Sequence, residues 1–120
     1  MPAETRDAAC VQDMLKAARG SLAALRSVSM EHYQADENLR LAVERRLEIL
    51  GEAARNVSQS LRERHPEIPW RGIIAQRNIL IHAYAAIQDQ IVWRLSETHL
   101  PTIIPALEAV LRELGVADEP

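Results

Sequence analysis

Between Trp70 and Tyr84, in the stretch WRGIIAQRNILIHAY, apolar residues fall three or four positions apart, and an arginine stands among them. Such spacing dictates an amphipathic helix rather than a strand. Pro69 suits its first turn, where the missing N–H leaves no bond unmade. The expected helix runs from about Pro69 to Tyr84. At about 100° per residue, Trp70, Ile73, Ile74, Leu80 and Ile81 form one stripe with Arg77 near its centre. A guanidinium there has to be paired or to line a cleft, because an unpaired buried charge is too costly to keep. The rest of the chain must supply either a carboxylate or an opening.

Arg77 opens the pattern R-N-x-x-x-H-x-Y, completed by Asn78, His82 and Tyr84. Tyr84 lies two turns on, about 20° round from Arg77, whereas His82 points about 140° away on an ideal helix. His82 shares its side with Asn78 and Arg71, and Arg71 is a candidate contact for phosphate or RNA. Arg77 and His82 can converge through the long arginine side chain, through a bend near the helix end, or through a second copy of the helix. Most soluble homo-oligomers are two-fold dimers, and the third route places two arginines and two histidines in one cleft. Ile79, opposite the core stripe, would then be covered by the neighbouring chain. The same spacing also fits a core salt bridge from Arg77 to the second helix, with His82 a surface or capping residue.

The remaining apolar residues continue the helical period. Val11, Leu15, Ala18, Leu22 and Leu25 line a first helix from about Glu4 to Ser27, and Ser29 is a cap for the next. The second helix is expected from about Met30 to Ser60, buried along Leu39, Val43, Leu50, Ala54, Val57 and Leu61. Gly51, Ala53 and Ala54 are small enough to admit a neighbouring helix closely. Glu44, Glu48, Glu52 or Asp36 is a candidate partner for Arg77; otherwise the three glutamates form exposed pairs with nearby arginines. HPEIPW, with two prolines, ends this helix and starts the third. After Tyr84, Asp89 can cap a helix beginning near Gln90, Pro101 should kink or divide it, and a final helix from Thr102 to Leu114 stops at Gly115. The expectation is an all-α fold, an up-and-down bundle of four helices with the last broken to give five segments.

With 120 residues the chain suits one domain, 1–120, with its core at about 4–115 and a frayed tail at 116–120. Phe is absent and the chain has two Trp and two Tyr, so the core must be built of Leu, Ile, Val and Ala. No apolar run reaches the roughly 18 residues of a membrane span, and MPAETRDAAC lacks the marks of a signal peptide, so the cytoplasm is the expected location. Cys10 stands alone, and His32, His65, His82 and His99 are too scattered for metal-ligand spacing, so neither a metal nor a cofactor is expected. The net charge of −3 opposes nucleic-acid binding, but from Arg62 to Arg94 five arginines meet only Glu63, Glu67 and Asp89, a net of +2.

Beyond these readings, the chain resembles the HepT-like family of the HEPN superfamily. The likeness is carried by Asp36, by LAVERRLEILGEAARNVS from Leu41 to Ser58, by HPEIPW, by RNILIHAY from Arg77 to Tyr84, and by IVW and the Leu100–Pro101 pair. The resemblance implies a HEPN-like bundle and a metal-independent endoribonuclease, the toxin of a toxin–antitoxin pair. In it Arg77 and His82 would be the catalytic pair in a homodimer cleft, with Asn78 in support. It further implies that Tyr84 receives AMP from a partner nucleotidyltransferase antitoxin. RNA is then the substrate, with neither DNA nor membrane as partner. Two alternatives remain: a non-catalytic helical subunit that binds the nucleotidyltransferase and a nucleotide, and a plain helical dimerisation module.

Overall fold

The computed structural model describes residues 3–82 and 89–116. These form seven helices: α1 (Ala3–Ala24), α2 (Met30–Ala35), α3 (Glu37–Arg55), α4 (Gln59–Arg64), α5 (Trp70–His82), α6 (Asp89–Thr98) and α7 (Leu100–Glu113). The chain is all-α as expected, but the segments number seven rather than five. Packing orders the long helices: α5 lies against α3, α3 against α1, and α1 against α7, while α6 packs on α7 and the short α2 touches both α3 and α6.

The extra segments arise where the expected second helix is cut twice. Asp36 leaves the helical region at φ −104° and ψ 96°, and its carboxylate accepts the Leu39 N–H at 3.0 Å. A short side chain that caps the next helix competes with continuing the previous one. Asp36 is therefore a cap and not the partner of Arg77. The second cut follows Asn56: Ser58 is extended and its hydroxyl accepts the Leu61 N–H at 3.3 Å. Asp7 of α1, buried, locks that turn by accepting from the Ser58 N–H at 2.8 Å and from its hydroxyl at 2.6 Å. The first helix stops at Ala24, short of Ser27, whose φ of 61° turns the chain. Ser29 then caps α2 as expected, accepting the His32 N–H at 3.1 Å.

At the other end the proline and glycine signals act as expected. Pro101 sits in the first turn of α7 and divides it from α6 at His99. Gly115, at φ 73°, ends α7. Its N–H donates to the Arg112 carbonyl at 3.1 Å while that of Val116 donates to Leu111 at 3.0 Å, the paired bonds of a Schellman stop. The HPEIPW connector is fastened by the buried Ile68 and by the Trp70 indole N–H donating to the His65 carbonyl at 2.9 Å. His65 itself bridges Glu67 at 3.1 Å and Glu113 at 2.6 Å.

The core is aliphatic, as the composition requires, and runs through Val11, Leu15, Val43, Leu50, Leu61, Leu107 and their neighbours. Its aromatic member of note is Tyr33, fully buried, with its ring 5.7 Å from that of Trp93. Glu44 is buried beside this region and is not one of the exposed pairs. Burial, with Asp89 and Glu48 nearby, pushes its carboxyl up from the usual value of 4.5, against the pull of Arg40. A carboxyl raised in the folded state favours folding while protonated, so its contribution is lost as pH rises through the folded pKa. Glu44→Gln should therefore raise the melting temperature at pH 7, and the gain should shrink towards zero as pH falls below about 4.5. Thermal denaturation across that range checks the sign.

At the α3–α5 crossing a Cβ on Gly51 would lie 2.2 Å from the Arg77 Cβ and 3.0 Å from the Ile73 carbonyl oxygen. Gly51→Ala is expected to force the helices apart and cost about 1–3 kcal/mol, read by urea denaturation, despite alanine's better helix propensity.

Candidate active site

The close approach at Gly51 seats α5 so that the arginine's stem lies against α3. Of the expected stripe, Trp70, Ile73 and Leu80 are buried and Ile74 packs partly against the core. Ile81 departs from the expectation: it is 39% exposed and stands at the edge of the Arg77 cleft together with Ile49. The reason is packing, because α5 meets α3 at its glycine and leaves the flank carrying Ile81 facing an opening.

Arg77 has a side chain 16% exposed, and its Nη2 lies 2.9 Å from Glu52 Oε2. Glu52 is thus the carboxylate partner. Nη1 donates to Asn78 Oδ1 at 3.0 Å, and Nε is buried without a hydrogen-bond partner. The pairing is not dry, since the Glu52 side chain is 48% exposed and also faces Arg55 at 3.8 Å. The cleft around Arg77 holds about 240 Å³ and joins three helices: Cys10 and Asp13 from α1, Arg45, Glu48 and Ile49 with Glu52 from α3, and Ile81 from α5. Arg45 reaches Glu48 at 3.6 Å, an ordinary surface pair. Burial first, then Asp13 and Asp7, push the Cys10 thiol up, so it stays protonated near neutrality and is a poor nucleophile.

His82 is exposed at the last turn of α5 and is not among the residues lining this cleft. Asn78 and Arg71 are exposed on the same helix, and Ile79 is 47% exposed. Tyr84 lies outside the described residues. Among the described residues no three histidine, cysteine or carboxylate side chains stand close enough to hold a metal ion, and no helix is long and apolar enough to cross a membrane. Reading the sequence missed the α1 wall, Cys10 and Asp13, because nothing in a linear spacing tells which face of α1 meets α3.

An ion pair to a half-exposed carboxylate contributes no more than about 1 kcal/mol. Arg77→Met, which keeps the stem against Gly51, is accordingly expected to change unfolding stability by less than about 1 kcal/mol, measured by urea denaturation. A larger loss would make Arg77 a structural residue.

Comparison with known proteins adds an independent line. A family model described as ribonuclease HepT-like matches residues 14–110. A protein of Methanocaldococcus jannaschii provisionally named an RNase is 32% identical over 102 residues, 85% of this chain and 94% of the relative. A Caldanaerobacter subterraneus protein, also provisionally named an RNase, is 38% identical over 90 residues, 75% of this chain and 77% of its own. One from Thermococcus cleftensis, provisionally named a ribonuclease HepT, is 36% identical over 78 residues, 65% of this chain and 71% of its own. No solved structure matches.

Proposed function

The chain belongs to the ribonuclease HepT-like family, and on that premise we propose that it is a metal-independent RNA endonuclease, the toxin half of a toxin–antitoxin pair. The observation that carries the reading is the half-buried Arg77 guanidinium at a solvent-open cleft, with one donor, Nε, unpartnered. A second supports it: His82 sits exposed on the same helix, free to meet a substrate or another chain.

Two copies packed through α5 complete the site, each contributing a guanidinium and an imidazole. The substrate's 2′-hydroxyl attacks the adjacent phosphorus, and the bond from phosphorus to the 5′-oxygen breaks. One imidazole takes the proton from the 2′-hydroxyl and the other gives one to the departing 5′-oxygen, a role suited to a group that moves protons near neutrality. Arg77 holds the charge that gathers on the non-bridging oxygens, which its fork of donors fits. Asn78 steadies Nη1 through the bond already present, and Arg71 on the exposed side meets a flanking phosphate. Glu52 must yield Nη2 to the phosphate, which its exposure permits. The 5′ fragment leaves with a 2′,3′-cyclic phosphate. Tyr84 lies seven residues beyond Arg77, and AMP placed on its hydroxyl by a partner nucleotidyltransferase antitoxin adds bulk and negative charge that oppose RNA entry.

The ion pair to Glu52 favours a second reading, a non-catalytic subunit in which Arg77 is satisfied structurally and the chain only binds the nucleotidyltransferase. Incubating the purified chain with RNA in excess chelator separates the two. Cleavage to cyclic-phosphate ends is expected, falling by about 10²–10⁴ in His82→Ala and by at least as much in Arg77→Ala. Intact RNA, or a His82→Ala protein as active as the parent, rejects the nuclease.

A further inference from the structure

The carboxylate that holds Arg77 stands between two guanidiniums. Glu52 Oε2 is 2.9 Å from Arg77 Nη2 and 3.8 Å from Arg55 Nη1, while Asn56 Nδ2 donates to the other oxygen, Oε1, at 3.5 Å. Arg77 is therefore met by one oxygen, end-on, and not by the two parallel bonds that an arginine and a carboxylate can form. Exposure grades across the three side chains, from 16% at Arg77 through 48% at Glu52 to 57% at Arg55. Arg77 and Glu52 line the cleft; Arg55 is not among its lining residues.

Charge makes the position of this carboxylate matter. Among the described residues that line the cleft, Asp13, Glu48 and Glu52 face Arg45 and Arg77, three carboxylates against two guanidiniums. A polyanion meets an excess of its own sign while Glu52 points inwards. Turning the Glu52 carboxylate to Arg55 leaves the cleft with two charges of each sign, and Glu52 still has a cation beside it. The exchange costs little, because half-exposed ion pairs of this kind are weak. It also opens one edge of the Arg77 fork. Asn78 already holds Nη1 at 3.0 Å, which leaves Nη2 and Nε, the latter without a hydrogen-bond partner. Two oxygens of one phosphate fit such an edge, and a bidentate contact outcompetes an end-on one.

We propose that Glu52 is a counter-ion gate for the Arg77 site. It occupies Nη2 while no phosphate is bound, and it passes to Arg55 when a backbone phosphate of RNA takes the Nε and Nη2 edge. Asn78 keeps the guanidinium from following the carboxylate. Glu52 is thus a positioning residue that acts through Arg77, and it sets how strongly the cleft holds the strand. The inference rests on reading this cleft as the seat of an RNA phosphate, and it does not require that the strand be cut.

The test measures binding of the full chain, by fluorescence anisotropy, to a single-stranded RNA carrying 2′-methoxy in place of every 2′-hydroxyl, which cannot be cut. Glu52→Gln is expected to tighten binding by about two- to fivefold, the span that competition from a half-exposed ion pair covers. Glu52→Ala takes its place if the glutamine variant misfolds. In an Arg77→Met chain the same substitution should bring almost no gain, whereas mere removal of a negative charge would help equally in both. Arg55→Gln should weaken binding in the parent and weaken it less in the Glu52→Gln chain, where no carboxylate needs a second seat. Unchanged or weaker binding in both Glu52 variants, an equal gain in the Arg77→Met chain, or no binding by the parent overturns the gate. Assaying ordinary RNA with the same proteins separates the two readings. Cutting by the parent without tighter binding in Glu52→Gln rejects the gate alone, and tighter binding without cutting rejects the nuclease alone.

Discussion

The structure depends on one close contact, α5 resting on α3 at Gly51. With a hydrogen in place of a side chain there, the Arg77 stem and the Ile73 carbonyl come within a distance that a Cβ would forbid. That contact sets three things at once. It places the Arg77 guanidinium within 2.9 Å of Glu52, keeps the stem out of water, and turns the flank with Ile81 towards the cleft. Glycine is ordinarily a weakness in a helix interior; here the loss is offset by two helices packing at backbone distance.

Around this crossing polar contacts supplement the aliphatic core. Asp7 of α1 accepts both the N–H and the hydroxyl of Ser58, so the turn between α3 and α4 is tied to the first helix. Asp36 sets the start of α3, the helix that carries Gly51 and Glu52. His65, placed between Glu67 and Glu113, joins the connector before α5 to the end of α7. Each fixes the end of a helix or a connector, while packing against α3 sets where α5 lies. The two openings that flank α5 follow from that position. One is charged and mixed in sign around Arg77, the other lined by leucine and isoleucine.

The family-level reading and the geometry meet on α5. Arg77, Asn78 and His82 follow the spacing of the pattern, and the structure sets Arg77 in a cleft and His82 in solvent. The divergence follows from helix geometry, since five residues along an α-helix rotate a side chain by about 140°.

The linear pattern establishes the helical class, the aliphatic core, the stops at Pro101 and Gly115, and the presence of an arginine that had to find a carboxylate or an opening. These follow from period, composition and the backbone limits of proline and glycine, all local properties. It also narrowed that carboxylate to Asp36 or one of three glutamates on the second helix. Choosing Glu52, burying Glu44, cutting the second helix at Asp36 and Ser58, and adding Cys10 and Asp13 to the cleft were decided only by tertiary structure. A capping carboxylate or a helix face is used in one way or another according to what packs against it, and the Asp7–Ser58 contact spans 51 residues. No window along the chain contains both ends of such a bond.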